Sequence, residues 1–134
     1  IGSFALSSWI FKGRIYQFIG GVSLLVFSDL MIDPGAVLMR FWTWTEPGIY
    51  YSIPFTNYLG WIFSSTIGGL LLFWMLPPKN LQKMPFYSTY TLALGNACWI
   101  GVTFNAAYWI PCLLGVLLQM VIVLAIKKKE LRTA

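Results

Sequence analysis

The chain has no histidine and only four acidic residues against nine basic ones, so charged residues fill just 10% of its 134 positions. Soluble domains typically carry about a quarter charged residues, and a surface this poor in charge cannot coat a water-soluble globule of this size. The missing histidine removes the usual metal ligand and the usual proton shuttle near neutral pH. The two cysteines, Cys98 and Cys112, lie inside apolar runs with no metal or redox spacing between them. They read as small buried hydrophobes. There is no internal repeat, heptad or low-complexity linker, and no metal or nucleotide motif. The first residue is not Met, so the chain is expected to be a processed or incomplete piece.

What fills the space is oil: 58% of residues are hydrophobic and the mean hydropathy is +0.73. A secretory leader does not account for it, because several long apolar runs follow one another. A spanning helix needs about 20 mainly apolar residues. Four segments approach that length: Ile15 to Ile32, Asn57 to Leu76, Phe86 to Phe104, and Tyr108 to Ile126. Residues 1–11 are too short to span, and suit an interfacial segment or the stump of a preceding helix. The expected fold is all-α, a polytopic membrane bundle of about four transmembrane helices forming one domain over residues 1–134.

Charge orients the bundle. Lys12 and Arg14 precede the first span, Lys79 and Lys83 separate the second from the third, and Lys127, Lys128, Lys129 and Arg132 follow the fourth. Short loops rich in Lys and Arg stay cytoplasmic, so four spans put every basic cluster, and both chain ends, on that side. The Asp33–Pro54 loop then lies opposite, and a bacterial or archaeal cytoplasmic membrane is the expected location. The lysine run reads as a positive-inside anchor, with no nucleic-acid partner. Gly60, Ser64 and Gly68, and likewise Ala93, Ala97 and Gly101, recur every four residues and are expected to let helices approach closely. Asn96 and Gln119 are expected to hydrogen-bond between helices. Pro111 suits a helix's first turn.

The stretch from Asp29 to Trp61, DLMIDPGAVLMRFWTWTEPGIYYSIPFTNYLGW, concentrates three of the four acids and three tryptophans. Its DP and EPG read as turn signals, and GAVLMRFWTW as a short helix at the interface. Trp42, Trp44, Tyr50, Tyr51, Tyr58 and Trp61 are residue types that favour the headgroup level, which makes a plain aromatic belt one reading of this long non-cytoplasmic loop. The acids offer another. If the first helix continues through Ile32, Asp29 and Asp33 share one face at i and i+4. Two carboxyl groups so close to a low-dielectric region are expected to raise one another's hold on a proton, and ionisable residues at membrane depth are functional candidates. A salt bridge from either aspartate to Arg40 is the competing, purely structural expectation.

These residues resemble the signature of the integral-membrane carotenoid biosynthesis proteins that include the carotenoid 1,2-hydratases and the bacterioruberin-pathway hydratase. The matching positions are Asp29, Asp33, Pro34, Trp42, Trp44, Gly48, Tyr50, Ile53, Pro54, Asn57, Tyr58, Gly60 and Trp61, with Ser52 standing where a second glycine is expected. Relative to that family the chain looks like a half-length member or fragment. The resemblance implies water addition to the terminal double bond of a linear carotenoid, without a cofactor. Asp29 and Asp33 would do the proton chemistry. Trp42, Trp44, Tyr50, Tyr51, Tyr58 and Trp61 would hold the polyene, and Asn57 a water. The alternative is a non-catalytic carotenoid- or pigment-binding subunit of a photosynthetic reaction-centre or antenna complex, partnered by other membrane subunits. A transporter is disfavoured, because the middles of the spans carry neither a charge nor a paired helix break.

Overall fold

A computed structural model describes residues 1–133, with side chains through Leu131. Helix α1 covers Gly2–Ile10, α2 Arg14–Leu38, α3 Phe55–Met75 and α4 Pro78–Lys83; a 3₁₀ turn spans Phe86–Thr89, followed by α5 at Tyr90–Asn105 and α6 at Trp109–Thr133. Among the described residues the one β feature is an isolated bridge between Tyr50 and Ile53.

Three helices, α2, α3 and Trp109–Leu131 of α6, are long and apolar enough to cross a membrane. The Phe86–Phe104 segment comes out shorter than expected. Pro85, which lacks an N–H, precedes a 3₁₀ turn closed by Thr89 Oγ1 donating to the Phe86 carbonyl at 2.8 Å. The 16 residues left to α5 rise about 24 Å at 1.5 Å each, below the roughly 30 Å of a hydrocarbon core.

The N-terminal segment packs into the bundle through its middle residues. Ser3 through Trp9 of α1 are all buried. Gly13, at φ 88°, reverses the chain, and α1 runs back along α2. Ser7 Oγ donates to the Gln17 carbonyl at 2.7 Å, and Gln17 Nε2 donates to the Phe11 carbonyl at 3.0 Å. A Cβ on Gly21 would lie 2.2 Å from the Phe4 ring, and one on Gly69 of α3 2.6 Å from it. Phe4 thereby fits between α2 and α3, edge-on to Phe73 with centroids 5.7 Å apart.

Helices α5 and α6 form an antiparallel hairpin. Asn96 Nδ2 donates to the Gly115 carbonyl at 2.9 Å and to Gln119 Oε1 at 2.8 Å, the interhelical bonds expected of these two amides. Pro111 lies in the first turn of α6, as expected. Other expectations fail. No heavy atom lies within 4 Å of where a Cβ on Gly60, Gly68 or Gly101 would be, and Ala97 is exposed. The Gly60 and Gly68 face is open, Ala93 alone of the other set packs against the core, and the close helix contacts are made by Gly20, Gly21, Gly35, Gly69 and Gly115. Cys112 is buried but Cys98 is exposed on the outside of α5.

The basic clusters do gather at one end of the bundle. Lys129 Nζ donates to the Gln82 carbonyl at 2.6 Å, and Lys12, Lys128 and Lys129 line one cavity with Gln82. The Arg132 side chain lies outside the described ones. Asp29 is 15 residues along α2 from Arg14, about 22 Å of helical rise, so Asp29 and Asp33 stand at the opposite end, while Glu130 follows the lysine run.

The glycine contacts make a direct prediction. Gly21→Ala drives a methyl into the Phe4 ring and should destabilise the bundle by about 1–3 kcal/mol. Gly60→Ala meets open space and should be neutral or stabilising by up to about 1 kcal/mol. Unfolding in detergent followed by circular dichroism compares the two, and equal losses would contradict the packing described.

Candidate functional site

The site begins with a helix that does not stop where its sequence signals a turn. Helix α2 runs through Asp33-Pro34 to Leu38, so the expected DP turn and interfacial helix are replaced by one more turn of α2. A proline inside a helix deprives the carbonyl four residues back of its donor. Here that carbonyl belongs to Leu30, and Tyr50 Oη donates to it at 3.0 Å. The tyrosine thus repairs the ladder and ties the 40–54 loop to the helix. Burial, with Tyr51 beside it, pushes the Tyr50 phenol up to about 12, so it remains a donor through the physiological range.

Continuation of α2 places Asp29 and Asp33 one turn apart on the same face. Both are buried, at 5% and 1% exposure. Asn57, in the first turn of α3, reaches across: its Nδ2 donates to Asp29 Oδ2 at 3.4 Å and also to Asp33 Oδ2. No ion pair links either aspartate to Arg40, which is exposed at φ 59°; a neutral amide takes the place expected for the guanidinium. Asp33 Oδ1, the Tyr58 hydroxyl and Trp44 Nε1 are buried with no hydrogen-bond partner among the described residues. Buried polar groups are rarely left so.

The loop is shaped to hold this arrangement. Tyr51 and Ser52 sit at φ 47° and 66°, and Ile53 N donates to the Tyr50 carbonyl at 2.9 Å. Two consecutive positive φ values describe a type I′ turn, which glycine fits without strain. Ser52, the position where glycine was expected, is therefore strained for a steric reason. Gly48 lets the incoming chain cross the Ile53 carbonyl, since a Cβ there would lie 1.9 Å from its oxygen.

The expected binding residues divide into three groups. Trp44, Asn57 and Trp61 line a cavity of about 340 Å³ together with Thr56, Gly60 and Ser64. A second cavity, also about 340 Å³, shares Trp61 and Ser64 and continues past Gly68 to Leu72. The two form one open trough along α3, about 24 Å from Thr56 to Leu72 by helical rise. Tyr50, Tyr51 and Tyr58 stack instead with one another: Tyr51 lies 4.9 Å from Tyr50 and 4.6 Å from Tyr108, and Tyr58 6.4 Å from Tyr50. Trp42 is 39% exposed and joins neither group. Thr56 and Ser64 were missed as lining residues. The Gly60–Ser64–Gly68 spacing was the available signal, read as a helix contact. Among the described residues no three His, Cys, Asp or Glu side chains gather as a metal site would need.

Comparison with known proteins places these features in context. The profile of the carotenoid biosynthesis protein family matches residues 3–122. The bisanhydrobacterioruberin hydratase of the archaeon Haloarcula japonica is 32% identical over 94 residues, which cover 67% of this chain and 31% of that protein. The chain thus spans about a third of that relative's length. No solved structure matches. Neither relationship lends support to the photosynthetic-subunit alternative.

Two outcomes check the loop geometry. Ser52→Gly should stabilise the protein by up to about 1 kcal/mol by relieving a left-handed non-glycine residue, read as a higher unfolding temperature. Because Tyr50 ionises at about 12 in the fold against an ordinary 10, the native state binds its proton more tightly and stability falls as pH rises through that window. Tyr50→Phe should lessen this alkaline slope. An unchanged slope would mean that the phenol is not held as described.

Proposed function

The chain belongs to the carotenoid biosynthesis protein family, and on that premise we propose that it is a hydratase-type membrane protein adding water to the terminal trisubstituted double bond of a linear carotenoid. The observation that carries this reading is the Asp29–Asp33 pair, buried on one helical face and bridged by Asn57, which itself lines the end of the trough along α3. On this reading one member of the pair serves as proton donor and the other as proton acceptor, next to the end of a rod-like hydrocarbon.

In the proposed reaction one carboxyl group of the pair donates its proton to the less substituted alkene carbon, leaving a tertiary cation. The faces of Trp44 and Trp61 carry negative potential and stabilise that cation without forming a bond to it. A water then adds its oxygen to the cationic carbon, and the neighbouring carboxylate accepts the proton released. One proton leaves the pair and one returns, so the site is regenerated with the roles exchanged. The sum is alkene plus water giving a tertiary alcohol, and the scheme uses no cofactor.

Asn57 holds the two carboxyl groups in register, and the Tyr50 bond to Leu30 keeps α2 helical beside them. The polyene shaft would lie along Gly60, Ser64 and Gly68, whose small side chains leave the trough open. We further propose that the lysine-rich end faces the cytoplasm and the carboxylate end the opposite side, since short basic loops are retained inside.

The test is conversion of a linear carotenoid such as lycopene in membranes containing the protein, followed by chromatography of the pigments. Asp33→Asn and Asp29→Asn should each lower conversion by about 10²-fold or more while the protein remains folded. Gly68→Leu should block the trough and also reduce it. Undiminished hydration by folded Asp33→Asn would refute the assignment.

A further inference from the structure

The basic end of the bundle holds a cavity that the carotenoid chemistry does not use. It has a volume of about 230 Å³, and Lys12, Lys128 and Lys129 line it together with Trp9 and the Gln82 segment. No Asp or Glu is among its described lining residues. Lys129 is fixed there as a positive wall: its Nζ donates to the Gln82 carbonyl at 2.6 Å and lies 5.8 Å from the centre of the Trp9 ring. Lys12 and Lys128 have exposed heads able to close over an anion. Trp9 is 8% exposed, yet its indole N–H has no acceptor among the described residues. A buried donor without an acceptor costs about 1–3 kcal/mol, which an acceptor brought from outside the chain would recover.

What lies next to the cavity selects among anions. Ile10 and Phe11, in its wall, also line a groove of about 500 Å³ whose other walls include Tyr16, Ile19, Leu24, Phe27 and Val121. The groove runs along α2 from the basic end toward the bundle's middle. A set of cationic and N–H donors opening directly onto an apolar groove matches a molecule with a phosphate at one end and hydrocarbon at the other. A free phosphate would leave the groove unused, and an uncharged lipid would leave the donors unused.

We propose that this end of the bundle binds one anionic phospholipid, its phosphate held among Lys12, Lys128 and Lys129 and one acyl chain lying in the groove beside Leu24 and Phe27. Basic pockets between membrane helices recognise anionic headgroups in this manner. The site would fix the short buried helix α1, helix α4 at Gln82, and the end of α6 against one another.

Native mass spectrometry of the purified full chain, with phosphatidylglycerol and phosphatidylcholine at equal concentration, tests this. One phosphatidylglycerol should remain bound in preference to phosphatidylcholine. The double variant Lys12→Gln/Lys128→Gln should lose that preference by about thirtyfold, two lysines' worth of headgroup attraction. Lys79→Gln, outside the cavity, should keep it. Trp9→Phe, which keeps a ring but removes the N–H, should weaken retention several-fold. Equal retention of the two lipids would overturn the proposal, as would an equal loss in Lys79→Gln, which would indicate only diffuse charge. Displacement of the lipid by inorganic phosphate alone would show a simple anion site and overturn it too.

Discussion

Everything at the acidic end depends on a single amide reaching between two helices. Asn57 stands in the first turn of α3 and donates to both Asp29 and Asp33 on α2. Burying two carboxyl groups is costly unless their oxygens are partnered, and a neutral donor shared between them supplies partners without cancelling their charge as Arg40 would. A salt bridge would hold the same helices together but would commit both carboxylates to the ionised form. The amide holds both carboxyl groups without supplying a counter-charge to either.

That arrangement requires α2 to stay helical through a proline. If the chain turned at Asp33-Pro34, the two aspartates would leave their common face. The Leu30 carbonyl, deprived of its donor by Pro34, is taken by Tyr50, and Tyr50 is delivered by a tight turn whose two central residues have positive φ. Loop and helix therefore depend on one another, and the tyrosine stack through Tyr51 to Tyr108 carries that constraint to the start of α6.

The two ends of the bundle divide the chemistry of the molecule. One end buries two carboxyl groups behind Asn57, which lines a trough of small and aromatic residues along α3; the other presents lysines to a cavity beside α1. Between them, the Phe4 ring, set into the spaces left by Gly21 and Gly69, holds α1 against α2 and α3. The small residues that do open outward, Gly60 and Gly68, are those that shape the trough. In lipid, where no hydrophobic force drives helices together, a small-residue face serves equally for a neighbouring helix or for a flat ligand.

The sequence by itself determined the class of the molecule, because 10% charge and long apolar runs leave few ways to satisfy a backbone other than helices in a membrane. It also determined that Asp29 and Asp33 share a face once the helix continues, since that follows from the 3.6-residue period alone, and it marked Asn96 and Gln119 as amides in need of interhelical partners. The tertiary structure decided whether the helix continued at all, since the Leu30 carbonyl freed by Pro34 is met by Tyr50, 20 residues from Leu30 along the chain. It also decided that Asn57 and not Arg40 meets the carboxyl groups, that residues 3–9 are buried, and which glycines touch a neighbour. Those outcomes turn on contacts between segments far apart in the chain, and local spacing carries no record of which faces will meet.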